Sequence, residues 1–462
     1  MKKKLPLLIM IILFSTTINA QDDFKSLWSK VQKFEVDNLP KSALKVVEEI
    51  YVKAKKVNNS PQLIKTLFYK SKFALILEED AQIKVINEFK KHISESEFPT
   101  KNVLENVLGN LYWQYFQQNR WKFYQRTKTA TKVDEADFRT WDLNTLFSEI
   151  HANFQASLKD RLLLQQINIY DFADILQVQK NSKIYRPSLF DFLAHNALDF
   201  YKTPENNITK PSYQFKLDNT KLVDEARVFS LLNITTKDNL SLQFNALKIY
   251  QDLISAHIND KNLKAFATVD LERLHFVNQH ATLDNKEQLL LKTLKASQKK
   301  YKANEISGLY AFEIAQIYHQ QASRYTSNKK VENRFKNKEA IAICYQIIKD
   351  FPESLGAKKC TRLKAQIEQE SLSITSEKFV PTDTNSRLLI NYKNVDELYF
   401  TIYKINQKQL RSFYRIYKED SKIKFIQKLE KVTTWNSRLR NEHDYLQHTT
   451  EIIVPKLNGA TY

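Results

Sequence analysis

The chain has 462 residues, a formal charge of +19, 42% hydrophobic residues and four glycines. That length exceeds what one hydrophobic core usually supports, so two domains or a repeat array are expected, and the apolar content excludes a disordered chain. Sheet proteins need glycine at their many tight turns of positive φ, so a chain with glycine only at Gly109, Gly308, Gly356 and Gly459 is expected to be mainly helical.

Lys2, Lys3 and Lys4 form a cationic start, Leu5 to Phe14 a short apolar core, and Ile18-Asn19-Ala20 a cleavage site before Gln21. That order is a secretory signal. The apolar run is shorter than the roughly 20 residues a bilayer requires, so the chain is expected to be exported and not membrane-spanning. No Cys follows Ala20, which speaks against a lipid anchor there.

From Pro40 to Lys56, Ala43, Leu44, Val47, Ile50, Tyr51 and Ala54 recur at the spacing of one buried helical stripe. The Asn58-Asn59-Ser60-Pro61 turn follows, with Ser60 expected as N-cap and Pro61 at the first helical position. The next stripe is Ile64, Leu67, Phe68, Ser71 and Leu75, and together they make a helical hairpin. Asp80 to Ser94 and Thr100 to Gln117 repeat the scheme. Pro40 to Asp80 and Pro61 to Pro99 are intervals of about 40 residues, within the periods of roughly 34–47 that mark helical solenoids.

Trp141 to Leu158 reads as a helix, and so does Pro187 to Tyr201, where Ser188 and Asp191 stand as in a capping box. The aromatics before this helix, including Tyr112, Trp113, Phe116, Trp121, Phe123 and Trp141, stand at helical spacing and read as core more readily than as a ligand platform. Thr203 to Lys221 reads as an extended surface loop. Glu305 to Tyr325 and Asn337 to Gln369 are further hairpins, with small residues where helices would cross and Phe351-Pro352 at a turn, as in tetratricopeptide hairpins. A bundle without superhelical stacking is the alternative. Cys344 and Cys360, the only cysteines, fall on the two helices of this last hairpin, either as a disulfide or as two small buried hydrophobes.

After Ser371 the character changes. Leu388 to Tyr392, Leu398 to Tyr403, Val432 to Leu439 and Thr449 to Val454 are β-rich, and Gln409 to Tyr417 is a short helix. These strands fall short of the roughly seven of a full sandwich, so the β region is expected to be a truncated domain and the chain a fragment. The expected organisation is a signal over 1–20, a helical-repeat region over 21–202, an extended loop over 203–222, a second tetratricopeptide-like region over 223–371 and a partial β-sandwich over 372–462.

No catalytic motif stands out. The nine histidines include no His-Glu-x-x-His pair, and isolated glycines exclude a nucleophile elbow, a P-loop and a dinucleotide fingerprint. Neither an enzyme activity, a cofactor nor a metal is expected. The Lys and Arg residues are interleaved with acids, as on a solvated helical surface. Their net field favours anionic cell-wall or outer-leaflet partners, whereas export and the absence of a recognition motif disfavour nucleic acid.

Trp141-Asp142-Leu143 with Leu146 and Ile150, the block Arg186 to Phe200, and Leu39 to Leu44 resemble the N-terminal helical region of large bacterial alpha-2-macroglobulin family proteins. Leu388 to Lys404 is similar to the opening of their first macroglobulin sandwich, and Ile453 to Tyr462 to its later strands. The resemblance implies a protease-trapping endopeptidase inhibitor in the periplasm or envelope of a Gram-negative bacterium, with proteases as partners of the whole protein. The family's thioester cysteine precedes Gly-Glu-Gln, but Tyr345 follows Cys344 and Thr361 follows Cys360, so no family site residue is carried over. A standalone exported scaffold that binds envelope proteins or peptides is the alternative.

Overall fold

The computed structural model describes residues 23–79, 81–127, 132, 134–207 and 213–462, the side chains of 206 and 207 excepted. The expected signal, with the cleavage position expected between Ala20 and Gln21, and Asp80 lie outside the described residues. The fold is mainly helical with a small antiparallel β region at the C-terminal end. It divides into two compact units, Met1–Lys286 and Glu287–Tyr462.

The first unit opens with α1 (23–36), α2 (Pro40–Lys56) and α3 (Ser60–Leu77). Ala43, Val47, Ile50 and Ala54 of α2 are fully buried against Phe24, Leu27, Trp28 and Val31 of α1 and Phe73 of α3. The N-cap of α3 is Asn59, whose Oδ1 accepts from the Gln62 amide at 3.1 Å, rather than Ser60. Ser60 is the first helical residue, so Pro61 falls one position further in, where its missing N–H still costs no intrahelical bond.

Next come α4 (Ala81–Glu95), α5 (Thr100–Tyr124), α6 (Leu143–Ser157), the single turn α7 (Arg161–Leu164) and α8 (Leu189–Tyr201). Their contact is aromatic. Trp113 and Phe116 of α5 stack with ring centroids 5.4 Å apart, Phe147 of α6 meets Phe116 edge-on at 5.0 Å, and Phe200 of α8 meets Trp113 at 5.3 Å. Tyr112, Trp113, Phe116, Phe123 and Trp141 are all buried, as core packing requires, but Trp121 is 78% exposed. Helix α5 is kinked at Asn119, whose Nδ2 donates to the Tyr115 carbonyl one turn back. That side-chain bond competes with the backbone ladder, and Trp121 lies just beyond it.

Within 203–222 the described parts are short 3-10 turns at Pro204–Asn207 and Thr220–Val223 and irregular backbone over 213–219. After α9 (Ala226–Ser230), α10 (Leu242–His257) and α11 (Lys264–His280) are buried on most of their surface. Leu253 and Ile254 of α10 and Leu274 and Val277 of α11 are fully enclosed.

The second unit contains α12 (Lys286–Lys300) from Glu287 on, α13 (Ser307–Ala322), α14 (Lys336–Asp350) and α15 (Leu355–Glu368). Helices α13 and α15 approach so closely that a Cβ added at Gly356 would stand 2.5 Å from the Gly308 carbonyl carbon. Ser354 caps α15 by accepting from the Ala357 amide at 3.0 Å.

The chain then forms β1 (Ser371–Ser376), β2 (Ser386–Lys393), β3 (Glu397–Lys404), α16 (Gln407–Tyr414), α17 (Glu419–Ile426), β4 (Glu430–Arg438) and β5 (His448–Val454). Two antiparallel sheets result, one in the order β1-β2-β5 and one pairing β3 with β4. Although β2 and β3 are separated only by the Asn394–Asp396 connection, they lie in different sheets and do not pair. Asn394 adopts φ 57°, and its Nδ2 donates to the Ile367 carbonyl of α15, which turns the chain from one sheet to the other. The core between the sheets is Ile390, Tyr392, Leu439 and Ile452, with Leu388, Val395, Leu398 and Phe400 half-buried around it.

Candidate functional site

A polar cleft in the second unit has a volume of about 680 Å³. The end of α13 (His319), the turn before α14 (Arg334) and α14 itself (Asn337) face β2, β5 and the loop over 440–447. That loop is shaped by two non-glycine residues of positive φ, His443 at 52° and Tyr445 at 57°. Its turns close on their own side chains: Asn441 Oδ1 accepts from the His443 amide at 2.9 Å, and Asp444 Oδ1 from the Leu446 amide at 3.1 Å. These are Asx turns, which give a short polar segment a defined shape without sheet bonding.

Arg334 holds the two sides together. Its Nη2 donates to Glu442 Oε2 at 2.5 Å and its Nε to Asp444 Oδ2 at 3.3 Å. Asp444 is almost fully buried and also accepts from His448 Nε2 at 2.8 Å. Burial pushes the Asp444 carboxyl up, but His448, the Leu446 amide and Arg334 outweigh it and hold the group below the usual aspartate value. The bonds to Asp444 and Glu442 push the guanidinium, protonated in any case, further up. Beside this pair, His319 Nδ1 donates to Asn337 Oδ1 at 2.7 Å, and Asn337 Nδ2 donates to the Tyr445 carbonyl at 3.0 Å. Tyr392 Oη donates to the Arg440 carbonyl at 2.9 Å. Arg334, Asn337, His319, Asp444 and Glu442 are therefore committed to each other, and they make this part of the cleft a joint between hairpin and sheets.

A second polar cluster lies in the first unit. Ser188 and Asp191 form the expected capping box of α8, the Asp191 amide lying 3.3 Å from Ser188 Oγ and the Ser188 amide 2.9 Å from Asp191 Oδ2. Asp191 Oδ1 lies 2.6 Å from His257 Nε2, and His257 Nδ1 lies 2.7 Å from Asp260 Oδ2. Serine, aspartate and histidine meet here, but in the wrong order for nucleophilic attack. Ser188 Oγ donates to the carboxylate at 2.7 Å, not to the imidazole, and is buried. A serine nucleophile needs the imidazole as its base. The cluster locks α8 to the end of α10.

Cys344 of α14 and Cys360 of α15 are both buried and both free thiols. They are neighbours: a hydrogen bond between the thiols favours ionisation of Cys344, and the same contact together with burial pushes Cys360 far up. Of the residues that make the two clusters, Ser188 and Asp191 stand in a recognisable capping pattern in the sequence. Arg334, Asp444 and His257 carry no local motif.

Among the described residues no group of three or more His, Cys, Asp and Glu is arranged to hold a metal ion, and no helix is long and apolar enough to cross a membrane. No protein-family model, curated protein or solved structure matches this chain.

Proposed function

We infer that the chain is a non-catalytic, exported scaffold, the N-terminal helical-repeat part of an alpha-2-macroglobulin-like envelope protein that contributes to endopeptidase inhibition only within the whole protein. The observation that carries this reading is the run of close-packed hairpins α13 to α15 into two small sheets, clamped by Arg334 onto Glu442 and Asp444. Tetratricopeptide-like hairpins followed by a macroglobulin-like sandwich would need such a joint. Rigid coupling is what a docking platform requires when it must transmit position without doing chemistry.

The test is a trapping assay. A trap that encloses an endopeptidase would exclude a large protein by size while still admitting a small chromogenic peptide. The isolated chain is expected to block neither reaction, and the product of the complete reading frame is expected to block the second alone. Stoichiometric trapping by the isolated chain would overturn the assignment of that activity to other parts of the protein.

A standalone scaffold for envelope proteins or peptides is the second reading. Leu75, Ile76 and Leu77 are exposed together at the end of α3, which supports it. A reading frame that stops after Tyr462 would favour this reading over the first.

A further inference from the structure

The segment between β3 and β4 differs in charge from the rest of the chain. From Lys404 to Lys431 it holds nine lysines and arginines against three acids, Glu419, Asp420 and Glu430. Helices α16 and α17 carry no buried residue. They meet through Phe413 and Phe425, whose ring centroids are 6.1 Å apart, and Leu410 and Ile426 are half-buried. Lys408, Arg411 and Arg415 recur at i, i+3 and i+7 and are all exposed, so α16 turns a single cationic face outward. Lys418, Lys424 and Lys428 are also exposed. Among the described residues only Lys422 of this segment meets a carboxylate, Glu419 at 2.8 Å. Elsewhere lysines and arginines are commonly paired, as at Lys72–Glu35 and Arg387–Glu451.

Apolar and aromatic groups stand among these charges. Tyr417 is 95% exposed, Tyr414 74% and Ile423 53%. Like charges held together repel unless an opposite field neutralises them, and exposed tyrosines gain most where one end of the ring is wet and the other apolar. Both conditions are met at the surface of a bilayer containing anionic lipid, where lysine and arginine meet headgroup phosphates while tyrosine and isoleucine enter the boundary of the acyl region.

We propose that the α16–α17 segment is a membrane-surface docking site selective for anionic lipid. The exposed Tyr414, Tyr417 and Ile423 favour a bilayer over a soluble polyanion, which would engage the cations and leave Ile423 in water.

The test is co-sedimentation of the full chain with vesicles of phosphatidylcholine alone or of phosphatidylcholine with phosphatidylglycerol. The readout is the difference between the two lipids, because any apolar contribution common to both cancels in it. Binding to the anionic vesicles is expected, weakened by salt. One cation near such a surface is worth about fivefold in affinity, so the triple variant Lys408→Gln, Arg411→Gln, Arg415→Gln should lose roughly a hundredfold. These side chains are exposed, and an unchanged melting curve checks that the variant still folds. Tyr414→Ser with Tyr417→Ser should weaken binding to anionic vesicles without altering its dependence on salt. Equal binding to both lipids, or a triple variant that binds like the wild type, overturns the proposal. So does binding to heparin or DNA with none to anionic vesicles, which would make the partner a soluble polyanion.

Discussion

His257 Nε2 lies 2.6 Å from Asp191 Oδ1, and its other ring nitrogen lies 2.7 Å from Asp260 Oδ2. Two carboxylates, acceptors only when ionised, can be satisfied by one imidazole only if both ring nitrogens carry protons. Burial disfavours the charge on His257, yet Asp191 and Asp260 outweigh it and raise its pKa above the ordinary histidine value. Burial likewise pushes Asp191 up, but the bonds from His257 and Ser188 prevail and hold it below the ordinary aspartate value. His195, whose Nδ1 is 2.7 Å from the Asp191 carbonyl oxygen, is driven the other way by burial and by Arg186, so His257 is the imidazole that holds its proton. Glu272 Oε2 lies 3.8 Å from His195 Nε2.

A pH profile with two limbs follows for the first unit. The His257 contribution is complete below roughly pH 6.5 and is lost as pH rises through its higher folded value. The Asp191 contribution is complete above roughly pH 4 and is lost as pH falls through its lower folded value. His257→Gln should flatten the upper limb and cost about 3–5 kcal/mol at pH 6, because it leaves a buried carboxylate without its cation. Urea midpoints measured by circular dichroism between pH 5 and pH 9 check this, and an unchanged slope in the variant would show that another group titrates.

Gly356→Ala should destabilise the second unit, although alanine is the better helix former. The added Cβ meets Gly308 backbone at 2.5–2.8 Å, and backbone cannot step aside as a side-chain tip can. A cost of about 1–3 kcal/mol is expected from overpacking. At Gly308 the first obstacle is Ile347 Cγ2 at 2.8 Å, so Gly308→Ala should be partly rescued by Ile347→Ala, whereas no neighbouring truncation should rescue Gly356→Ala. Thermal melts of the four variants compare the two sites.

Asp444→Ala should weaken the joint between α14 and the sheets by about 1.5–3 kcal/mol, the scale of losing charge-assisted bonds from Arg334 and His448. Arg334→Lys should also fail to restore it, because an ammonium cannot place a planar fork against Glu442 and Asp444 at once. Hydrogen exchange at the amides over 441–447, faster in both variants, is the readout.

Cys344 and Cys360 should resist alkylation in the native state, since both are buried and Cys360 is held protonated beside its neighbour. Counting thiols by mass spectrometry before and after unfolding in urea, without reductant, should show both becoming reactive only on unfolding.

The two regions differ in how much of them the sequence discloses. Helix α2 was legible because its buried Ala43, Val47, Ile50 and Ala54 form one stripe on an otherwise polar surface. Helix α11 gave no such stripe. Ala265, Phe266, Val269, Leu271, Leu274 and Phe276 bury several sides at once, so the apolar pattern loses its period. Strands β2 and β3 were recognisable as β-rich runs, but their pairing was not. β2 lies between β1 and β5, and β3 pairs with β4 across the inserted α16 and α17. Strand partnership is a long-range choice that alternation within one strand does not encode. The joint was the least legible of all. Arg334 and Asp444 are 110 residues apart, and neither belongs to a motif.

Four of the five tryptophans lie before Lys286, while Trp435, stacked on Phe400 at 4.8 Å, is the only one after it. Replacing Trp28, Trp113, Trp121 and Trp141 with phenylalanine would leave a single tryptophan, in the second unit, and Trp435→Phe would leave the other four in the first. The sequence therefore carries its own pair of optical channels, through which the folding of each unit can be followed without an added label.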